Sequence, residues 1–333
     1  LIHGLDGAKF VRTVPYFPAE RYIMKHDENR MQDACLHTCI AGIHMATPVL
    51  AASGTFGFGE EYADFVNLAR LGGVMVKGTT LHNRRGNDGI RVAETPQGML
   101  NCIGLENPGV DTFLTEILPR IRQYGMNIII NISGSTVEEY GLLAKYLDVP
   151  DIAAVELNIS CPNVKDGGIV FGTDPHAAAS VVRTVRCKTK KPIIAKLSPN
   201  VTSIREMALA VEDAGADAIS LINTLTGMQI DIHRWRPILG NQTGGLSGPA
   251  IRPIAVRMVW EVAQAVHIPI IGMGGISSWE DAVEFFLAGA SAVAVGTANF
   301  SDPCVTMKIC DGLEQYVQTR GLSHIQEIIG KAL

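Results

Sequence analysis

The chain has 333 residues, 47% of them hydrophobic, which is enough for a large core and fits one barrel domain of about 250 residues plus insertions. Its formal net charge is −5 and its Lys and Arg residues are scattered, which argues against a nucleic-acid or anionic-membrane binder. It has no run of about 18 apolar residues and no signal-peptide pattern, so we expect a cytoplasmic protein that acts on a small molecule.

The first segment differs from the rest of the chain. Residues 1–35 lack hydrophobic periodicity, and we interpret them as an N-terminal extension of unclear structure. Residues 36–333 are predicted to form one domain.

From Pro48 onward, short apolar runs alternate with longer amphipathic stretches, which is typical of parallel strands joined by helices. Eight βα units predict an α/β protein with a single closed (β/α)8 barrel. An open doubly wound sheet is the alternative, but no GxGxxG motif follows the first strand. The predicted strands are Pro48–Ser53, Gly73–Lys77, Asn127–Ile132, Ala153–Ile159, Pro192–Leu197, Ala218–Asn223, Pro269–Met273 and Ala292–Gly296.

Three helix starts support this count of units. Thr136 and Ser203 are each followed three residues later by Glu, which is capping-box spacing, and Ser278 precedes acidic residues in a first turn.

Three connections are too long for simple turns, and each follows a strand. They should lie over the C-terminal face of the barrel, where active sites are built. The first contains turn signals such as Gln97-Gly98, which predict a small hairpin lid. The connections are Gly78 to about Asn107, Cys161 to Asp174 and Thr224 to Gly248.

Every predicted strand ends in a polar residue or in glycine. This pattern suits a barrel rim that surrounds one molecule rich in donors and acceptors, although strands also end in polar residues simply because they reach the surface. The terminal residues are Ser53, Lys77, Asn131, Asn158, Lys196, Asn223, Gly274-Gly275 and Gly296-Thr297.

The glycines after strands seven and eight occupy the usual phosphate position of such barrels. Glycine lets backbone N–H groups approach phosphate oxygens beside a helix N-terminus, so Gly274-Gly275 and Gly296-Thr297 indicate a phosphorylated ligand. Tight turns that bind nothing would use the same residues.

Two lysines end otherwise apolar strands. In an apolar barrel mouth, Lys77 and Lys196 could stabilise negative charge that develops in a reaction, or one of them could form a Schiff base with a carbonyl substrate. The sequence pattern leaves both roles open.

Cys161 is the best candidate for acid–base chemistry, because a free thiol has a pKa of about 8.5 and this one follows strand four beside carboxamides and a proline. Cys102, in the predicted lid, is its main competitor. The seven cysteines contain no CxxC pair, so we predict no metal site and no disulfide framework. The asparagines 101, 158, 163 and 223 offer donors and acceptors suited to the edge of a pyrimidine ring.

These segments together closely resemble the class I dihydroorotate dehydrogenases, and among them the NAD-linked type. The matching motifs run in order over about residues 40 to 310. They are Ala52–Gly59, Lys77–Thr80, Gly98–Leu105, Asn158–Asn163, Lys196–Asn200, Ile222–Thr224, Gly244–Pro249, Gly272–Gly275 and Val295–Thr297. Residues 1–35 match nothing in the family pattern.

The resemblance implies that the barrel binds FMN and oxidises (S)-dihydroorotate to orotate in pyrimidine biosynthesis. In that scheme Cys161 removes a proton from C5, hydride leaves C6 for the flavin, and Lys196 steadies the charge on the reduced ring. The implied FMN contacts are Ser53, Lys77, Gly78, Asn131, Asn158, Lys196, Ile222, Gly248, Gly274, Gly275, Gly296 and Thr297. The implied substrate contacts are Lys77, Asn101, Cys102, Ile103, Gly104, Leu105, Asn158, Asn163, Asn223 and Thr224.

The chain has no dinucleotide fingerprint and no cysteine cluster for an iron–sulfur centre. The resemblance therefore implies an electron-transfer partner subunit with FAD and a [2Fe–2S] cluster, in a heterotetramer of two plus two. A stand-alone fumarate-dependent enzyme and a non-redox Schiff-base lyase are the two alternatives.

Overall fold

The computed structural model describes residues 35–160 and 171–333. Eight parallel strands close into a barrel in which each strand pairs with the next and the last pairs with the first. We number them β1 Val49–Ala51, β2 Gly73–Met75, β3 Ile128–Ile132, β4 Ala154–Asn158, β5 Ile193–Lys196, β6 Ala218–Leu221, β7 Ile270–Met273 and β8 Ala292–Val295. The predicted (β/α)8 barrel is confirmed, with strands up to two residues shorter at each end.

Helices surround this barrel. The main ones are α1 Val137–Tyr146, α2 Pro175–Arg186, α3 Ile204–Asp213, α4 Arg252–Ala263, α5 Trp279–Leu287 and α6 Val305–Thr319. Consecutive short helical segments follow β2, at Val110–Thr112, Phe113–Ile117, Leu118–Ile121 and Arg122–Tyr124. Further short turns lie at Pro249–Ile251, Ala298–Ser301 and Ile325–Ile328. No helix among the described residues is long and apolar enough to cross a membrane.

The three predicted helix starts are confirmed. Thr136 and Ser203 each accept a hydrogen bond from the backbone N–H three residues later. Ser278 does the same in a reciprocal capping box with Asp281. Each cap satisfies a donor that would otherwise lack a partner at the helix start.

The first βα unit departs from the expected pattern. Only the short 3₁₀ turns Glu60–Tyr62 and Leu68–Arg70 lie between β1 and β2, where we expected a helix. Gly54, Gly57 and Gly59 all have positive φ in this segment, a backbone conformation that a helix cannot contain.

Side chains alternate along each strand between two cores. Residues that face outward pack under the helices, and residues that face inward fill the barrel, where Leu50, Met75, Ile129 and Ile271 form a layer. The hairpin Thr38–Ile40 and Ile43–Met45 packs against this interior layer through Ile40, Ile43 and Met45. The hairpin therefore closes the apolar end of the barrel.

A separate antiparallel sheet lies among the loops that follow β2 and β6. The predicted hairpin is present as Val92–Thr95 and Gly98–Asn101, with Gln97 at positive φ in its turn. Its second strand pairs with Thr243–Ser247, which pairs with Leu225–Met228. Two insertions distant in sequence thus build one four-stranded lid sheet. Ile230–Asp231 and Arg236–Pro237 form a small further ribbon.

Candidate active site

A cluster of buried polar side chains lies inside the barrel on β3 to β6. Glu156 is fully buried, and its two carboxylate oxygens accept hydrogen bonds from Asn131 Nδ2 at 2.6 Å and Ser220 Oγ at 2.7 Å. Lys196 Nζ lies 3.9 Å from Glu156 Oε2. Strand register pairs Lys196 with Asn158 on one side and with Ser220 on the other. Polar side chains from four neighbouring strands therefore meet in one place.

Two carboxamide oxygens in this region are buried and have no hydrogen-bond partner among the described residues: Asn131 Oδ1 and Asn158 Oδ1. A Cβ placed on Gly78 would lie 2.9 Å from Asn131 Oδ1 and 3.6 Å from Leu105 Cδ2. Because a buried acceptor without a partner is costly, these oxygens indicate a ligand that donates hydrogen bonds. Gly78 leaves the space for such a ligand to approach.

The β1 and β2 side of the rim carries Ser53 and Lys77. Ser53 Oγ donates to Val76 O at 2.8 Å, which fixes its side chain at the end of β2. Hydrogen bonding to Arg91 and the positive charge of Arg91 lower the pKa of Glu106, and the charge of the half-buried Lys77 lowers it further. Lys77 thus contributes positive charge to this side of the rim, near Glu106.

The glycine-rich side of the rim is built from the ends of β6, β7 and β8. Gly274 and Gly275 both have positive φ. A Cβ on Gly274 would lie 3.1 Å from Ile222 Cγ1, and one on Gly275 would lie 2.9 Å from Gly248 O. Four of the predicted contact residues are therefore neighbours.

Space is available beside β8. A Cβ on Gly296 would meet nothing closer than Ala52 Cβ at 3.8 Å, and Gly296 O accepts a hydrogen bond from Asn299 N as Thr297 begins a short helix. Because few protein atoms surround the Gly296 backbone, a ligand has room to approach it.

The lid brings predicted substrate contacts together. Asn101 Nδ2 donates to Gly245 O at 3.2 Å, and a Cβ on Gly245 would collide with Thr224. Asn223 Oδ1 accepts from Thr224 N at 2.8 Å, which fixes its carboxamide next to the end of β6. Asn101, Asn223 and Thr224 consequently share one corner of the lid.

Other predicted lid residues are held by their backbones. Ile103 O accepts from Asn87 N, and Leu105 O accepts from Asn107 Nδ2. Gly104 has positive φ and packs against Asn87. The Cys102 side chain is buried with Leu100 and Leu239, and its Sγ lies 3.6 Å from Ile90 O. The Cys102 thiol therefore points into the lid sheet, and the assignment of Cys161 as the acid–base group stays a prediction.

Cys161 and Asn163 lie outside the described residues. The residue before them is placed: Ser160 Oγ donates to Lys196 O at 3.2 Å. On the other side of the gap, Phe171 packs edge-on against Tyr140, whose hydroxyl donates to Asn158 O. Ser160 and Phe171, the described residues on either side, therefore lie near Lys196 and Asn158.

Sequence reasoning missed Glu156 and Ser220 as site residues. Glu156 stands in the middle of the apolar strand Ala154–Asn158, and a carboxylate in a buried strand requires partners. That signal could have found it. Ser220 carries no comparable signal, because serine occurs in buried strands without cost when its hydroxyl is bonded.

Comparison with known proteins identifies the family. The model of the family described as "Dihydroorotate dehydrogenase" matches residues 35–317. The chain belongs to the dihydroorotate dehydrogenase family. Similar proteins bear the name "Dihydroorotate dehydrogenase B (NAD(+)), catalytic subunit". That of Bacteroides thetaiotaomicron is 57% identical over 298 residues, covering 89% of this chain and 98% of the relative. Those of Geotalea uraniireducens and Geobacter metallireducens are 57% and 58% identical over 292 residues, covering 87% of this chain and 96% of each relative.

The family predicted from the motifs is thus confirmed, and the relatives carry the name of the NAD-linked type that the motifs indicated. The matched range begins at residue 35, so residues 1–34 lie outside both the family match and the described structure. The separate extension proposed for residues 1–35 stays a prediction.

Proposed function

We propose that this chain is the catalytic subunit of an NAD-linked dihydroorotate dehydrogenase, which oxidises (S)-dihydroorotate to orotate on bound FMN in the cytoplasm. The observation that carries the proposal is the cluster of Lys196, Asn131 and Asn158 at the ends of adjacent strands, with two buried carboxamide oxygens left to meet a ligand. The relatives' names support the substrate and the acceptor.

The described residues fit FMN. The unpartnered oxygens of Asn131 and Asn158 suit a ring that carries N–H donors, and Gly78 leaves room beside them. The glycines of β7 and β8 suit the phosphate, because their backbone can come close to it. The proposed FMN set is that of the sequence analysis: Ser53, Lys77, Gly78, Asn131, Asn158, Lys196, Ile222, Gly248, Gly274, Gly275, Gly296 and Thr297.

In the proposed reaction, the chemistry that bound FMN supplies is acceptance of the hydride from C6 of dihydroorotate. Cys161, as thiolate, takes the proton from C5, so that one proton and one hydride leave the two carbons that become the double bond. Lys196 stabilises negative charge at the cofactor end through its ammonium group.

The substrate is proposed to bind under the lid sheet. Asn101, Asn163 and Asn223 would hold the ring edge with their carboxamides, together with Lys77, Cys102 to Leu105, Asn158 and Thr224. The lid would exclude water from the reacting carbons, which strengthens each of these contacts.

A partner subunit with FAD and a [2Fe–2S] cluster is proposed to pass the electrons to NAD, in a heterotetramer of two plus two. The relatives' title "catalytic subunit" supports a partner. The chain itself has no dinucleotide fingerprint with which to bind NAD.

The test is an anaerobic titration of the purified chain with dihydroorotate, followed by flavin absorbance. We expect the flavin to bleach, NAD to restore its colour only when the partner is added, and fumarate not to restore it. Restoration by fumarate alone would identify the stand-alone type. A flavin that stays oxidised would contradict the substrate, and a protein that cannot bind FMN but forms a borohydride-trapped imine would support the lyase.

A further inference from the structure

Glu156 is the buried charge that the proposed reaction leaves without a role. It is fully buried within the barrel, where a carboxylate is costly unless it is bonded and balanced. Each of its oxygens accepts a hydrogen bond, from Asn131 and from Ser220, and the Lys196 ammonium lies 3.9 Å away. A bonded carboxylate beneath the mouth of the site must affect both the shape and the charge of that mouth.

Its first effect is on Asn131. A carboxylate only accepts hydrogen bonds, so Asn131 must turn its Nδ2 toward Glu156 and its Oδ1 away. That oxygen lies next to Gly78, where it is buried and has no partner among the described residues. Because of Glu156, Asn131 presents its Oδ1 acceptor, and not its Nδ2 donor, to the cofactor.

Its second effect is on Lys196. The 3.9 Å separation is longer than a hydrogen bond, so the pair is held by charge and the N–H groups of the ammonium stay available to a ligand. Both side chains are nearly excluded from water, which makes their interaction stronger than that of a surface pair. Without Glu156, the ammonium would act on the cofactor uncompensated.

We propose that Glu156 is a positioning residue that fixes the acceptor orientation of Asn131 and moderates the positive charge of Lys196, and so sets the reduction potential of the bound flavin. This inference rests on the proposed function, because it requires FMN at this site.

The test is the midpoint potential of FMN bound to the Glu156→Gln variant, measured by anaerobic reduction against a reference dye. Glutamine keeps the size of the side chain and removes the charge. We expect the equilibrium constant for reduction to rise about tenfold, which is about 30 mV for a two-electron couple, because the uncompensated ammonium favours an anionic reduced ring. An unchanged potential would overturn the proposal.

Two variants separate charge from packing. Ser220→Ala removes one hydrogen bond while Glu156 keeps its charge and its contact with Asn131, so it should hold a potential near that of the wild type. Glu156→Asp keeps the charge on a shorter side chain, so it should shift the potential less than Glu156→Gln does. A shift in Glu156→Asp equal to that in Glu156→Gln would assign the effect to packing and would contradict the proposal.

Poor folding of Glu156→Gln would itself be informative. If the damage comes from an uncompensated ammonium, the double variant Lys196→Met/Glu156→Gln should unfold at a higher temperature than Glu156→Gln alone. A double variant as unstable as the single one would show that Glu156 acts independently of Lys196. A wild-type protein unable to bind FMN would instead overturn the proposed function.

Discussion

Cys161 is the residue on which the proposed proton transfer depends. The substitution Cys161→Ser should leave FMN bound but reduce turnover at pH 7 by at least about a hundredfold, because a serine hydroxyl is ionised far less than a thiol with a pKa of about 8.5. The rate of flavin reduction by dihydroorotate in a stopped-flow experiment measures this step. The lost rate should return in part as the pH rises.

Cys102→Ser is the matched control. Its thiol is buried in the lid beside Ile90 O, a contact that a hydroxyl can also make, so reduction should proceed near the wild-type rate. A severe loss in Cys102→Ser with little loss in Cys161→Ser would exchange the two assignments.

Gly296 tests the proposed cofactor position without disturbing the protein. A Cβ there has no protein atom within 3.8 Å, so Gly296→Ala should leave the thermal unfolding of the FMN-free protein unchanged. If FMN occupies that space, its affinity should fall about tenfold or more, since overpacking a contact costs about 1–3 kcal/mol. FMN fluorescence titration measures the affinity.

The exposed Ser301, on the short helix after β8, provides the control for Gly296. Ser301→Ala should bind FMN as the wild type does. Unaltered FMN binding by Gly296→Ala would place the cofactor elsewhere on the rim.

At this scale the sequence predicted which strands end in polar groups but not what those groups bond to. The polar residue after each apolar strand is visible in one dimension, as at Lys196 and Asn158. The partner of Asn131 is not, because Glu156 lies 25 residues away and meets it only through barrel register. Nothing local to Ser220 indicates that its hydroxyl supports a carboxylate.

Among the elements, the start of α5 links stability to the glycine-rich rim. Asp281 is 5% exposed, accepts hydrogen bonds from Ser277 and Ser278, and forms an ion pair with Arg252. A Cβ on Gly275 would lie 2.7 Å from Arg252 Cβ, so the same contacts hold the backbone proposed to receive phosphate.

Asp281→Ala should lower the free energy of unfolding by about 3 kcal/mol, because it removes a buried charge from its partners and leaves Arg252 with Glu284 alone. It should also weaken FMN binding. Ser203→Ala, which removes the cap of α3, should cost only about 1 kcal/mol and leave FMN affinity unchanged. Chemical denaturation of both variants checks this, and equal losses would refute a special role for Asp281.

The secondary-structure elements also show which contacts cannot be predicted from the sequence pattern. The hairpin after β2 could be predicted because its turn residues lie within a few positions of one another. Its pairing with Thr243–Ser247 could not, since that contact joins residues about 145 positions apart and glycines such as Gly245 show no strand period. The segment after β1 is not an α-helix because three of its glycines have positive φ. The sequence shows the glycines but does not reveal their φ angles.

At the scale of the whole molecule, the two ends of the barrel differ in polarity. The hairpin formed by Thr38–Ile40 and Ile43–Met45 fills one end with apolar side chains, and the polar cluster of β3 to β6 occupies the other. Apolar packing and the proposed chemistry are thereby separated along the barrel axis, as is usual in barrels of this kind. The family match covers both ends, since it begins at residue 35.

The position of the closing hairpin allows a prediction of how residues 1–30 affect stability and FMN binding. A chain that begins at Met31 keeps Leu36, which is fully buried, and the whole closing hairpin, so it keeps the core formed by the described residues. We expect it to bind FMN and to be reduced by dihydroorotate at the rate of the full chain, with the same unfolding temperature. A chain that begins at Ile43 loses half of the hairpin. It should unfold at a markedly lower temperature, because the loss of Ile40 leaves the apolar end of the barrel open. Reduced flavin affinity in the Met31 chain would instead show that residues 1–30 take part in the site.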